Sequence, residues 1–212
     1  MPKYILSIIS VIVLAGGVLL MVGERNELAE EFALVLSAVS STDQRKGSEQ
    51  AKIVIVEYSD FQCPACAAYY PIIKELTREL GDQIVFAYRH FPLRQIHVNA
   101  DLAARAAEAA GMQGKFWEMH DALFERQKEW AQSPDAKPLF SSYAVFLGLD
   151  VGKFNVDVES EKIIQKVEAD LAGGMASRVN ATPTFFLNGK KLNNPRNYDE
   201  FKNTVIKELG EE

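Results

Sequence analysis

Cysteine is nearly absent from this sequence: 212 residues contain two, Cys63 and Cys66. Two thiols exclude a disulfide-dense scaffold and cannot complete a four-cysteine zinc site. Histidine is almost as sparse, with His90, His97 and His120 alone, and none stands at the tight spacing from the cysteines that a zinc finger uses. Positive charge is in deficit too, 23 Lys and Arg against 29 Asp and Glu, for a net charge of -6. A phosphate-binding surface needs clustered positive charge, so the composition argues against nucleic acid as the main partner. No repeat recurs at a fixed period. The 48% hydrophobic and 25% charged content fits neither a disordered nor a fibrous chain. The length suits one compact domain plus something smaller.

What the sequence does have is one long apolar run at its start. Ile5 to Val22 carries no charge and only Ser7 and Ser10 as polar side chains. As a helix it would extend about 27 Å, close to the hydrocarbon thickness of a bilayer. Lys3 precedes it, and Glu24, Arg25 and Glu27 follow, so the positive-inside bias places Met1 in the cytoplasm and the bulk of the chain outside. Residues 1–23 are therefore expected to form a transmembrane anchor. A cleaved signal sequence is the alternative, with Ala15-Gly16-Gly17 as the small-residue site, but cutting there would leave the apolar stub Val18 to Val22. The expected location is extracytoplasmic, in the periplasm or at the envelope exterior, either tethered or as a cleaved soluble form.

Residues 24–50 read as a juxtamembrane helix and a linker. Leu28, Phe32, Val35, Leu36 and Val39 recur at helical spacing, and Ser40 to Lys52 is polar around Gly47. Domain structure is expected from Ala51. Ile53-Val54-Ile55-Val56 and Ile84 to Tyr88 are runs suited to buried strands, and Pro64 to Leu80, closed by Gly81, reads as a helix between them. From His97 to about Val179 the pattern turns helical, with segments at Ala100–Ala110, Lys115–Trp130, Leu139–Leu147 and Val158–Met175. Thr184–Leu187 and Lys190–Leu192 flank Asn188-Gly189 as a hairpin, and Tyr198–Leu209 closes the chain as an amphipathic helix.

Cys63-Pro64-Ala65-Cys66 follows an expected strand and opens an expected helix, the setting of a redox pair. Helix N–H groups and the dipole favour negative charge there, so Cys63 should be partly thiolate at neutral pH and Cys66, one turn inward, should resolve a mixed disulfide. A structural disulfide is the bland alternative, yet so short a ring gains little from loop closure. Half of a metal site is the other. Far along the chain, Ala181-Thr182-Pro183-Thr184 precedes a strand, where proline at the first position is ordinary. Phe116, Trp117 and Phe124 read as core of the helical region.

Together, Glu57-Tyr58-Ser59-Asp60-Phe61-Gln62-Cys63-Pro64-Ala65-Cys66, Phe91-Pro92-Leu93, Gly114-Lys115-Phe116-Trp117 within Ala106–Phe124, and Thr182-Pro183-Thr184-Phe185 resemble the DsbA-like thiol:disulfide oxidoreductases over roughly residues 47–210. The resemblance implies an α/β, thioredoxin-like fold over 51–96 and 180–212 with an inserted all-helical subdomain over 97–179. It implies Cys63 as the attacking cysteine, Cys66 as the resolving one and Pro183 as a cis-proline beside them. Thr182 would offer backbone to a substrate strand, and Pro64 and Ala65 would flank it. Glu57 matches a buried acid of the family that would exchange a proton with Cys66; on position alone it could equally be a strand-end glutamate facing water. One departure concerns residue 65, where the best-known oxidases carry His. Ala65 should leave Cys63 less acidic and the disulfide less oxidising.

The leading expectation is an oxidase that passes the Cys63–Cys66 disulfide to exported protein thiols and is reoxidised by a membrane redox partner, with no organic cofactor and no metal. A reductase or isomerase is the first alternative, supported by Ala65. A metallochaperone or binding module that holds a soft metal such as Cu(I) on the two thiolates is the alternative of another class.

Overall fold

The computed structural model describes residues 39–210. The expected transmembrane segment and nearly all of the expected juxtamembrane helix lie outside the described residues. Within them, no helix is long and apolar enough to cross a membrane.

Five strands form one sheet in the order β1-β3-β2-β4-β5. Its centre is β2 (Ile53–Ser59), parallel to β3 (Ile84–His90) in full register from Ile53 opposite Ile84 to Ser59 opposite His90. A parallel pair needs a crossover, which α1 (Pro64–Leu80) supplies. Pro64 occupies the first turn of α1, where no N–H is needed, and Cys66, Ile73, Leu76 and Leu80 form its buried face. β4 (Thr184–Leu187) joins the other side of β2 in antiparallel register, with Glu57 opposite Phe185, and turns into β5 (Lys190–Lys191). Asn188 at φ 46° and Gly189 at φ 77° supply the two left-handed positions this tight turn requires.

The two-residue period of β2 sorts its side chains between two cores. Ile53 and Ile55 face the larger one, shared with α1 and with α8 (Tyr198–Gly210) through Phe201 and Val205. Glu57 and Ser59 continue that same row. Val56 and Tyr58 face the other side, with Ala87, Phe91, Val179 and Phe186.

Between β3 and β4 come six helices: α2 (Ala100–Gly111), α3 (Phe116–Glu125), α4 (Gln127–Trp130), α5 (Lys137–Phe146), α6 (Val151–Asp157) and α7 (Glu161–Ala176). Ala103, Ala106, Ala107 and Ala110, all fully buried, make α2 the thin central helix of this set. The expected helix Val158–Met175 is shorter at its start. Ser160 stands at the N-cap of α7, and a separate helix, α6, precedes it, begun by Asp150, whose side chain accepts from the Lys153 N–H at 2.9 Å. Phe116 and Phe124 are buried, while Trp117 is partly so.

Residues 40–52, expected to be a linker, contain the edge strand β1 (Gln44–Gly47), antiparallel to β3. It carries Gln, Arg, Lys and Gly, with no hydrophobic alternation to reveal it. Its anchors are tertiary: Trp117 Nε1 donates to the Arg45 carbonyl at 3.0 Å, Lys46 Nζ lies 4.2 Å from the centre of the Trp117 ring, and the Arg89 guanidinium pairs with Asp43 just before the strand at 2.8 Å. Charged, short edge strands also resist pairing with other chains.

Helix α7 covers the sheet closely because of one glycine. A Cβ on Gly174 would stand 2.5 Å from Phe91 Cδ2 and 3.0 Å from Tyr58 Cδ1. Gly174→Ala gains about 1 kcal/mol of helix propensity but forces these rings apart, at about 1–3 kcal/mol. We expect a net loss of stability in urea unfolding; a variant more stable than the parent would show that the α7–sheet contact is loose.

Candidate active site

The chain passes from β2 into α1 through Asp60-Phe61-Gln62 and reaches Cys63 at the helix N-cap, with φ -70° and ψ 122°. Both cysteines are free thiols in this structure. Cys63 is 7% exposed and Cys66 1% exposed, while Pro64 and Ala65 between them lie at the surface. Of the two cysteines, Cys63 is the nearer to the surface.

The loop before β4 closes the other side. Thr182–Pro183 is cis, and in the thiol form Cys63 Sγ donates to the Thr182 carbonyl oxygen at 3.5 Å. Thr184 Oγ1 donates to the Ala181 carbonyl at 2.8 Å, and Asn194 Nδ2 donates to the Pro183 carbonyl at 2.7 Å, which fixes this loop. Thr182, Pro183 and the cysteines, more than a hundred residues apart in sequence, are thus brought together.

The electrostatics of the pair are asymmetric. The Cys63 thiol is lowered from 9.0 to about 5. Hydrogen bonding from the Cys66 thiol is the largest cause; burial opposes it, and Thr182 and the backbone N–H groups of Cys66 and Ala65 add to the lowering. The Thr182 carbonyl favours the thiol, so the donors on the helix side decide the direction. Cys66 moves the other way: burial, then its bond to the Cys63 sulfur and the charges of Cys63 and Glu57, push it well above 9.0. Its sulfur accepts the Asp60 N–H at 3.5 Å.

Glu57 is buried beneath the pair at 4% exposure, not turned to water. Burial raises its carboxyl to about 7; the Ser59 hydroxyl lowers it and the Cys63 charge raises it further. Next to it, Tyr88 is held protonated by burial and by the charges of Glu57 and Cys66. The Ser59 and Tyr88 hydroxyls have no direct hydrogen-bond partner of full geometry among the described residues. A buried carboxyl, two buried hydroxyls and the inner thiol therefore lie in one neighbourhood, close enough for the Glu57 charge to raise both Cys66 and Tyr88.

Several polar residues that sequence reasoning passed over bolt the redox turn to the helical region. Gln127 Nε2 donates to the carbonyls of Phe61 and Cys63 at 2.7 and 3.0 Å. Gln62 Nε2 donates to the Ala131 carbonyl at 2.7 Å, and its Oε1 accepts the Asn99 N–H at 2.7 Å. Asn99 Nδ2 reaches the Trp130 and Ser133 carbonyls at 3.1 and 2.9 Å. Asp60 and Gln62 stood inside the quoted motif; Gln127 and Asn99 carry no local signal, because their partners lie tens of residues away. Elsewhere among the described residues, no three His, Cys, Asp or Glu side chains converge to hold a metal ion.

With this geometry in hand, comparison with known proteins is informative. A family model described as Thioredoxin matches residues 40–207. Among solved structures, the oxidised form of BdbD from Bacillus subtilis is similar, with 26% identity, a TM-score of 0.71 and coverage of 79% of this chain and 93% of that one. Alpha-DsbA1 from Wolbachia pipientis has 23% identity and a TM-score of 0.71 over 82% of this chain and 94% of that one, a likeness of fold. Among curated sequences, a Na(+)/H(+) antiporter NhaA 1 from Mycolicibacterium vanbaalenii is 41% identical over 157 residues, 72% of this chain. The match spans only 24% of that protein, about a quarter of its length.

The acidity of Cys63 has a thermodynamic consequence. A group lowered on folding stabilises the folded state fully above its unfolded pKa and loses that contribution as pH falls toward its folded pKa. Reduced protein should therefore lose stability relative to oxidised protein as pH falls from about 9 to about 5, with ultraviolet thiolate absorbance titrating near the lower value. A stability gap between the two forms that stays flat across this window would contradict it. Glu57, raised to about 7 in the free-thiol form, acts with the opposite sign, weakening the fold as pH rises above 4.5.

Proposed function

The chain belongs to the thioredoxin family as a DsbA-like thiol:disulfide oxidoreductase, and from that premise we propose that it works as an oxidase, donating the Cys63–Cys66 disulfide to the thiols of exported proteins. The observation that carries the direction is the low pKa of Cys63, about 5. The thiolate exists only in the reduced enzyme. Stabilising it stabilises the reduced form and makes the disulfide the more oxidising partner. Ala65 lacks the imidazole of the best-known oxidases; its backbone N–H, after that of Cys66, still contributes to the lowering of Cys63.

In the proposed cycle a substrate thiolate attacks Cys63 Sγ of the disulfide, and the Cys63–Cys66 bond breaks as the mixed disulfide forms. Cys66 leaves as a thiolate in a pocket that disfavours its charge, and Glu57, with a carboxyl near 7, returns the proton. A second substrate thiolate then attacks the substrate sulfur of the mixed disulfide, releasing oxidised substrate and the Cys63 thiolate. Thr182, beside cis-Pro183, would align the substrate backbone, and the exposed Pro64 and Ala65 would border it. Two electrons remain on the enzyme, so an oxidising partner must take them, in this reading a membrane-bound redox protein. The cycle uses no organic cofactor and no metal. Residues 1–23 would anchor the chain with the catalytic domain outside the cytoplasm, in the periplasm or its equivalent.

The antiporter name of the curated relatives belongs to much longer proteins, and no transport is proposed for this chain.

Oxidised protein mixed with a reduced, unfolded dithiol substrate should yield substrate disulfide, and Cys66→Ser, whose Cys63 thiolate can still attack a substrate disulfide, should accumulate mixed disulfides on Cys63, because the internal thiol that would attack them in turn is gone. Failure to form substrate disulfide, or a Cys66→Ser variant with no trapped partners on diagonal gels, would overturn the oxidase reading. In membrane fractionation the intact chain should sediment with the membrane; a soluble form beginning near Val18 would reverse the anchor assignment.

A further inference from the structure

Asp60 touches both cysteines through its backbone and neither through its side chain. Its N–H is directed at Cys66 Sγ at 3.5 Å, and its carbonyl accepts the Cys63 N–H at 3.1 Å. The aim of these two groups depends on how the residue is held. Its carboxylate is buried, with a side chain of 0% exposure, and has three partners. Oδ1 accepts the Gln62 N–H at 2.7 Å, Oδ2 accepts the Leu93 N–H at 2.9 Å, and Oδ2 meets His97 Nδ1 at 2.7 Å. A carboxylate only accepts, so Nδ1 carries the proton in this bond.

His97 is the one side chain among these partners, and the one of the three able to carry charge. It is held by its own turn, with its N–H donating to the Leu93 carbonyl at 2.9 Å, on the segment that joins β3 to the helical region. Its ring is 15% exposed, at the edge of the site. Removing the imidazole would leave a buried carboxylate, three residues along the chain from Cys63 and six from Cys66, short of the one side-chain donor it has among the described residues. The negative field of that carboxylate would oppose a thiolate at Cys63.

We propose that His97 is a positioning residue for the redox chemistry: through its hydrogen bond to the Asp60 carboxylate it holds the Asp60 peptide on the two cysteines and partners a buried carboxylate on the residue that contacts both. The proposal rests on the reading of Cys63 and Cys66 as the redox pair. A purely structural role makes a different forecast. It would cost the oxidised and reduced forms equal stability, and the potential, which reports only their difference, would not move.

The test measures the equilibrium of the purified full chain with reduced and oxidised glutathione. His97→Ala should shift the equilibrium constant about tenfold toward the enzyme disulfide, about 30 mV more negative, and should raise the thiolate midpoint of Cys63. His97→Asn, which restores a donor near the Nδ1 position, should recover most of the parent value. In an Asp60→Asn background, where the carboxylate charge is gone, His97→Ala should change the constant by less than about twofold. Should His97→Ala fail to fold, His97→Gln, whose longer amide displaces the donor, carries the same expectation. An unchanged constant in the single variant, or an equal shift with and without Asp60→Asn, overturns the proposal. A parent chain that shows no thiol–disulfide equilibrium at all would instead overturn the redox assignment of Cys63 and Cys66, so the two failures are distinguishable.

Discussion

The interaction on which the site depends is the placing of one sulfur at the start of one helix. Cys63 sits at the N-cap of α1, where backbone N–H groups have no partners within the helix and a negative charge is welcome. Once that sulfur is a thiolate, the chemistry around it is constrained. Cys66, a turn further in and buried, must stay protonated to donate to it, so the two thiols diverge: about 5 for the outer and well above 9.0 for the inner. The two-residue period of β2 places Glu57 on the core face, where its charge helps to raise the inner thiol.

Such an arrangement requires a rigid turn, and the helical insertion supplies much of the rigidity. Gln127 holds the carbonyls of Phe61 and Cys63, and Gln62 and Asn99 tie the same turn to the carbonyls of residues 130–133. These are amide-to-backbone bonds, which fix geometry without adding charge near the thiolate. From the other side, α7 packs on β3 and on Tyr58 and Phe91 at the distance that Gly174 permits. Residues of the helical insertion thus brace the redox turn through Gln127, Asn99 and the carbonyls of Trp130, Ala131 and Ser133.

Much of this was legible from the sequence because it is encoded locally. The β-branched run of β2, the Pro64 start and Gly81 end of α1, the Asn188-Gly189 turn and the C-x-x-C spacing each depend on near neighbours. Glu57 was ambiguous from its position because a strand end can face either way; its burial follows from the row it shares with Ile53 and Ile55. What the sequence hid is nonlocal. β1 has the composition of a linker and becomes a strand only because β3 offers a free edge and Trp117 reaches the Arg45 carbonyl. Gln127, Asn99 and His97 resemble any polar surface residue until the fold brings their partners within 3.1 Å.

The central claim, that stabilising the Cys63 thiolate makes the disulfide oxidising, is tested most directly by the reduction potential of the Cys63–Cys66 couple. Each unit by which the Cys63 pKa falls corresponds to about 1.4 kcal/mol, or about 30 mV for a two-electron couple, at a pH above both values. A thiol lowered to about 5 should give a potential well above that of thioredoxin, in the range of about -120 to -200 mV. A value near -270 mV or below would contradict the account, because it would mean that the helix start does not set the redox poise and that the protein gives electrons to its substrates rather than taking them.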